Sequence, residues 1–312
     1  MGKRHLLGLL QGGFEVTAVD PRRSSYESAV EAIEKSGLRK EPLHWVDQIP
    51  AGEYDVAIFA ETAPYRLQNL ARFLENGAAE KILLEKPLSS DPEDIRAYEA
   101  LLEAKRVAPS NVTVNLSRRT WPLFVELKTL CDSSSEVMMT VNGGAAGFGS
   151  NGIHFLDLFL FLGGSSRCKV AHAQISKTPV ASGRGSEFSD FGGSFWIENE
   201  RCSFFCSLSP ASSAPPMFAL RGDHFVASLD ELDLRYRIEA RNPESRKPNY
   251  LCGHDYQISR EGIMTLMPFD KVTEQWAAGT LILPDFQEGV TAHRILFAIL
   301  EAAGCPPPYR FT

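Results

Sequence analysis

The chain lacks several things that would have narrowed its function. Its 312 residues include six cysteines, at 131, 168, 202, 206, 252 and 305, with no CxxC pair and no metal-ligand spacing. A zinc ribbon and a thioredoxin-like redox motif are therefore excluded, and no metal is expected. Cys202 and Cys206 fall in a strand-like stretch and read as small apolar packing residues. There is no long apolar run. The longest, Phe155 to Leu162, is too short to span a bilayer and carries Asp157 inside it. No long Lys/Arg run exists either, and 32 basic against 39 acidic residues give a net charge of −7, which argues against a nucleic-acid partner. No charged-then-apolar leader opens the sequence, so the expected location is the reducing cytoplasm. Internal repeats and low-complexity segments are also absent.

What is present is ordinary globular composition, 44% hydrophobic and 23% charged, in a chain long enough for two well-cored domains. The first third alternates apolar strands and amphipathic helices. A helical pattern through Leu6 to Leu10 stops at Gly12 and Gly13, and Phe14 to Asp20 reads as a buried strand closed by an acid. Helix Ser25 to Ser36, strand Tyr54 to Ala60 and helix Tyr65 to Asn76, capped by Gly77, follow in turn. Next come strand Lys81 to Leu84 and helix Asp94 to Arg106. This alternation predicts a parallel sheet with βαβ crossovers. Beyond about Ala171 the pattern changes to strands, among them Gly193 to Glu198 and Arg201 to Leu208 joined by a hairpin turn at Asn199-Glu200. The expected fold class is α/β: an N-terminal doubly wound domain over 1–115, and a second α/β domain over 116–312 with a large, mainly antiparallel open sheet. Pro179 to Gly185 and Asn242 to Pro248 read as polar loops. His293 and Arg294, on the last helix from Phe286 to Ala303, read as solvated.

Three stretches carry chemistry. The first is Glu85-Lys86-Pro87, which leaves the apolar Ile82 to Leu84 strand. Proline biases Lys86 toward extended geometry, and the carboxyl end of a buried strand is where open α/β sheets bind ligands, although position alone equally describes a surface lysine in a strand-to-helix turn. Ser89 to Glu93 then offers N-cap chemistry for the next helix. The second stretch is Asp20, where a dinucleotide-binding fold places an acid on the adenosine ribose, although Asp-Pro is also an ordinary turn opener. Arg22 and Arg23 just beyond would tolerate a 2′-phosphate. The third is the helix Ile153 to Leu162, apolar except for His154 and Asp157, which lie three apart on one face. Polar groups there are either satisfied within the core or engaged with a ligand.

A full G-x-G-x-x-G fingerprint is not found after the first strand-like segment, and Gly2 corresponds only to its last glycine. A literal match does occur at Gly147-Phe-Gly149-Ser-Asn-Gly152, after a strand from Glu136 to Val141. The strand that follows it, Lys169 to Ser176, ends in Lys177 rather than an acid, so this is read as a decoy whose glycines allow close backbone approach. The central strand of a 3-2-1-4-5-6 sheet would lie upstream of Met1, leaving two unpaired strand edges. The expectation is either an earlier natural start or weak dinucleotide binding, with no dinucleotide bound at all as the alternative.

Glu85-Lys86-Pro87 together with Gly152-Ile-His154-Phe-Leu-Asp157 resembles the glucose–fructose oxidoreductase/inositol dehydrogenase (Gfo/Idh/MocA) family. Gly2 to His5, Asp20, and Ala60 to Pro64 fall where that family has its dinucleotide loop, ribose-binding acid and nicotinamide-side loop. Asn115 to Arg119 matches the opening of its second domain. The resemblance implies a Rossmann domain plus a substrate domain, and hydride exchange between NAD or NADP and a sugar, polyol or related compound. Asp20 slightly favours NAD. It further implies Lys86 and His154 as catalytic residues, with His154 the general acid/base. Gly2, Arg4, His5, Asp20, Arg22, Ala60, Thr62, Pro64, Glu85, Lys86 and Pro87 become cofactor-binding candidates. Ser150, Asn151, Asp157, Arg118 and Arg119 become substrate or orienting candidates, and Ser182 to Ser186 a specificity loop. Many members place an aspartate at the position of Ser150, so substrate contacts or acid/base tuning must differ here. The implied partner is a small sugar-like molecule, with a homo-oligomer (dimer or tetramer) expected. A non-catalytic sugar- or partner-binding member is the alternative.

Overall fold

The computed structural model describes residues 1–41, 43–163, 167–182 and 185–312, with the side chains of residues 252 and 254 outside the description. In chain order the elements are α1 (Gly2–Gln11), β1 (Val16–Val19), α2 (Arg23–Lys35), β2 (Leu43–Val46), β3 (Gly52–Phe59), α3 (Ala63–Asn76), β4 (Gly77–Leu84), α4 (Pro92–Ala104) and β5 (Val112–Val114). Then follow α5 (Pro122–Asp132), β6 (Val137–Gly143), α6 (Ile153–Gly163), β7 (Lys169–Ile175), β8 (Val180–Ala181), β9 (Ser189–Asp190), β10 (Gly193–Glu198) and β11 (Cys202–Leu208). The chain closes with β12 (Met217–Arg221), β13 (Phe225–Asp230), β14 (Arg235–Arg241), β15 (Tyr256–Ile263), α7 (Phe269–Ala277) and α8 (Phe286–Ala302). Two compact units result: Met1–Thr120 with Met267–Val290, and Trp121–Leu266 with Thr291–Thr312.

In the first unit every strand pair is parallel, but the sheet is in two pieces, β1–β2 and β3–β4–β5. The pieces share one core. Leu6, Leu9 and Leu10 of α1 pack with Val16 of β1, Leu83 of β4, and Val272 and Trp276 of α7. Helix α7 is why the segment 267–290 belongs here, although sequence reading put all of 116–312 in the second domain: its apolar face buries against α1. The two helices approach closely at Gly8, where a Cβ would overlap the carbonyl oxygen of Asp270. Asp91 caps α4 by accepting the Glu93 N–H at 3.0 Å, ahead of Pro92 at the first helical position. Gly77 does not cap α3 in the left-handed region. It is extended and opens β4 directly, so that strand is twice as long as its apolar end suggested.

The second unit holds one eight-stranded sheet, ordered β15-β14-β13-β12-β6-β11-β10-β7, antiparallel except for β6 with β11. The hairpin at Asn199 forms as expected, its side chain accepting the Arg201 and Cys202 N–H groups at 2.9 and 2.7 Å. Alternation puts Met139, Phe204, Cys206, Phe218 and Leu220 on a buried face, which α5 and α6 cover through Phe124 on Phe218 and Phe159 on Phe204. Burial pushes the Cys206 thiol well above its ordinary range, consistent with a packing role. Two sequence readings need correction. The Pro179 to Gly185 stretch contributes β8, which pairs with β9. His293 is 0% exposed on α8, since α8 turns that face inward beside Phe297, while Arg294 is exposed.

Candidate active site

Strand register sets up the carboxyl edge of the three-stranded sheet. Phe59, Leu84 and Val114 are aligned neighbours, so the residues that follow each (Ala60, Glu85 and Asn115) come off the sheet side by side. The ladder continues for one more step, with Glu85 N–H donating to Phe59 at 3.0 Å and Asn115 N–H to Leu84 at 2.9 Å. Lys86, half-buried, is the next residue out, and its peptide bond to Pro87 is cis.

Two buried charges hold this turn. Arg66, on α3 and 1% exposed, donates through Nη1 to the carbonyl oxygens of Pro87 and Leu88 and through Nη2 to that of Glu61. One planar guanidinium thereby ties the exit of β4 to the exit of β3. Glu85, 2% exposed, accepts from His5 Nε2 at 2.9 Å and Asn115 Nδ2 at 2.6 Å on Oε1, and from the Lys86 N–H at 3.2 Å on Oε2. Burial alone would raise its pKa, yet the His5 hydrogen bond and charge, Asn115 and Arg66 hold the carboxyl at about 2. The other nitrogen of His5, Nδ1, lies 2.9 Å from Thr273 Oγ1 of α7. Among the cofactor candidates, then, the side chains of His5 and Glu85 face inward and shape the turn.

The remaining first-unit candidates are more open. Gly2 and Arg4 are exposed at the start of α1, whose first turn contains no acidic residue. Asp20 follows β1 and is gripped by Arg22, with Nε to Oδ1 at 3.0 Å, Nη2 to Oδ2 at 2.8 Å and the Arg22 N–H to Oδ1 at 2.9 Å. That hydrogen-bonded guanidinium holds the Asp20 carboxyl below its usual range, against a smaller upward push from burial. Ala60 and Thr62 are half-buried and Pro64 exposed, with Thr62 at the N-cap and Pro64 in the first turn of α3. Arg118 is half-buried. Arg119 is buried and pairs with Glu288 at 2.7 Å, and Glu288 also accepts the Asp285 N–H at 3.1 Å at the start of α8.

In the second unit, β6 leads through Gly147 into a wide helical turn, Phe148–Gly152, and then α6. His154 is half-buried one turn along, and Asp157 is fully buried. Ser150 Oγ donates to the Ala146 carbonyl at 3.1 Å, and Asn151 Nδ2 donates to the same oxygen. The second and third N–H groups of the turn go to Asp190: Gly149 at 2.8 Å and Ser150 at 2.7 Å. The G-x-G-x-x-G match is thus an anion-binding turn already occupied by the chain's own carboxylate. Its next strand, β7, is separated from β6 by two strands, β11 and β10, so no dinucleotide-type βαβ unit exists there. Of the Ser182 to Ser186 loop, residues 183 and 184 lie outside the described residues. No group of three or more His, Cys, Asp or Glu suits a metal among the described residues.

Arg66, Thr273 and Asp190 escaped sequence reading. Arg66 looks like one more helix cation, Thr273 is 268 residues from its His5 partner, and Asp190 sits in a two-residue strand.

No protein-family model matches the chain, and no curated protein matches it by sequence. Solved structures match along nearly its whole length. Levoglucosan dehydrogenase, in complex with NADH and levoglucosan, is 14% identical over 97% of this chain and 94% of that one, with a TM-score of 0.68. UDP-N-acetylglucosamine 3-dehydrogenase from Acidithiobacillus ferrooxidans is 13% identical over 96% and 93%, with a TM-score of 0.66. The transcriptional regulator Gal80p from Kluyveromyces lactis is 14% identical over 97% and 86%, with a TM-score of 0.68. The fold is that of the Gfo/Idh/MocA-type oxidoreductases, a parallel-sheet unit and a unit built on one large mixed sheet.

Proposed function

We propose that the chain is a Gfo/Idh/MocA-family oxidoreductase that moves a hydride between NAD(P) and a hydroxyl or carbonyl carbon of a sugar, sugar acid, polyol or nucleotide sugar. The observation that carries this reading is Lys86: a half-buried lysine at the carboxyl end of β4, on a turn in which Glu85 accepts the Lys86 N–H and Arg66 donates to the Pro87 carbonyl. An ammonium at this position stabilises the negative charge that develops on a substrate oxygen as hydride leaves its carbon. His154 exchanges the hydroxyl proton, a task suited to an imidazole whose unperturbed pKa is about 6.5. Arg118 and the 182–186 loop serve substrate choice.

The donor set fits a dinucleotide. The start of α1 offers a helix N-terminus with two cations, Lys3 and Arg4, and no acid, which suits a pyrophosphate. Asp20 suits the adenosine ribose, and Arg22 and Arg23 beside it leave NADP open as well as NAD. Ala60, Thr62 and Pro64 border the nicotinamide side. The cofactor supplies the hydride acceptor or donor. The first unit, Met1–Thr120 with Met267–Val290, forms the cofactor-binding portion, and the large sheet of the second unit bears the substrate determinants and the contacts of a homo-oligomer.

A second reading is a non-catalytic sugar- or partner-binding protein. It is favoured by the two-piece parallel sheet and by structural likeness to a transcriptional regulator. Titration of the purified chain with NADH and NADPH, followed by nicotinamide fluorescence, separates the two. Saturable binding, then turnover of a panel sugar that drops on the order of 100-fold or more in both Lys86→Ala and His154→Ala, supports the enzyme. Absence of binding to either nucleotide supports the second reading.

A further inference from the structure

Nothing in the proposed chemistry uses Asp190, yet its carboxylate is engaged on three backbone N–H groups while only 4% of the residue is exposed. Oδ1 accepts from Gly149 at 2.8 Å and from Phe191 at 2.7 Å, and Oδ2 accepts from Ser150 at 2.7 Å. The first N–H groups of a helix have no partner within it, and they are normally capped by a side chain just upstream. Here the upstream residue is Gly147, at φ 72, which has no side chain to offer. A Cβ at that glycine would overlap Asp190 Oδ2, so the glycine and the distant carboxylate are fitted to each other. A second tie comes from the same place, Phe148 N–H donating to the Phe191 carbonyl at 2.8 Å. An anion at a helix N-terminus also meets the positive end of the macrodipole.

We infer that Asp190 is a positioning residue for His154: by capping the 148–152 turn from β9 it fixes where the helix begins, and so where the imidazole is held. The catalytic weight of this rests on the oxidoreductase reading, but the positioning itself does not. The test is therefore a spectrum of the full chain labelled at its seven histidines, which needs neither cofactor nor substrate. His154→Gln assigns the His154 ring signals. Asp190→Asn keeps the shape and the Oδ1 acceptor but turns an NH₂ toward the Ser150 N–H. The expected result is a shifted or broadened His154 signal, with the signals of His5 and His293 unmoved, at a temperature where circular dichroism reports a folded chain. An unmoved His154 signal would overturn the inference. Gly147→Ala provides the same displacement from the other side, should Asp190→Asn not fold, and is expected to move the same signal. In an assay with a turned-over sugar, Asp190→Asn should lower kcat about tenfold or more while leaving the KM for NADH within about twofold. An unchanged kcat would remove the catalytic consequence, whereas a His154→Gln enzyme of full activity would count against the oxidoreductase reading instead.

Discussion

The turn that carries Lys86 and the turn that leads into His154 each have their loose backbone groups gathered by a buried charge, and the two gathering charges have opposite sign. Lys86 leaves the carboxyl end of a strand, where carbonyl oxygens run out of partners, and a cation, Arg66, gathers two there and a third from the exit of β3. His154 follows a helix start, where N–H groups run out of partners, and an anion, Asp190, gathers two of them plus its neighbour's. The polarity of the exposed backbone dictates the sign of the clamp. The clamps differ in what surrounds them. Arg66 shares its neighbourhood with a second buried charge, Glu85, whereas Asp190 is held by three backbone N–H groups. The first turn is a charge network and the second a single cap, so the first should be far less tolerant of substitution.

The largest expected effect is at Arg66. Arg66→Met strands three carbonyls and leaves Glu85 without one of its cations, and urea unfolding should show a loss of about 3–5 kcal/mol. Arg66→Lys should recover less than half of it, because a point charge cannot span the same oxygens. A loss under about 1 kcal/mol in Arg66→Met would break the comparison. Next comes acid. Glu85 has a folded pKa of about 2, below the ordinary 4.5, so its contribution is fully present above pH 4.5 and is lost as pH falls through about 2. The contribution is on the order of 3 kcal/mol. Unfolding curves at pH 7 and pH 2.5 should therefore diverge for the wild type, and Glu85→Gln should reduce the divergence; equal divergence in both would mean the charge lies elsewhere. Asp190→Asn should cost less than either, about 1–2 kcal/mol, since it spoils one acceptor and keeps the other. Smallest is Arg119→Met. Its partner Glu288 is half-exposed and retains its cap on α8, so the loss should stay within about 1 kcal/mol in the same assay.

The two sheets show how far the sequence could be read. Strands of the large sheet that alternate apolar with polar, such as Cys202–Leu208, could be placed nearly to the residue, because one face is buried and the period of two is plain. The edge strand β15 leaves no signal in the sequence, since most of its residues are exposed and no face pattern marks it. Helix α7 leaves none for a different reason: it is nine residues long, and the helix that completes its core lies at the other end of the chain. The expectation of unpaired edges in the parallel sheet matches the two pieces found. The residue that ends its next strand marks the glycine motif as a decoy, and the structure adds the stronger reason, a carboxylate already seated on its N–H groups.

Local pattern alone determined the α/β class, the strand leading into Glu85-Lys86-Pro87, the apolar helix around His154 and the hairpin at Asn199. Each of these depends on residues within one turn or one strand of each other. Tertiary structure alone decided that segment 267–290 returns to the first unit, that His5 and Glu85 turn inward, that His293 is buried, and that Arg66 and Asp190 hold the two turns. The physical reason is the same in each case. A buried polar group must find its partner in space, and the sequence separation of that partner leaves no periodic trace along the chain.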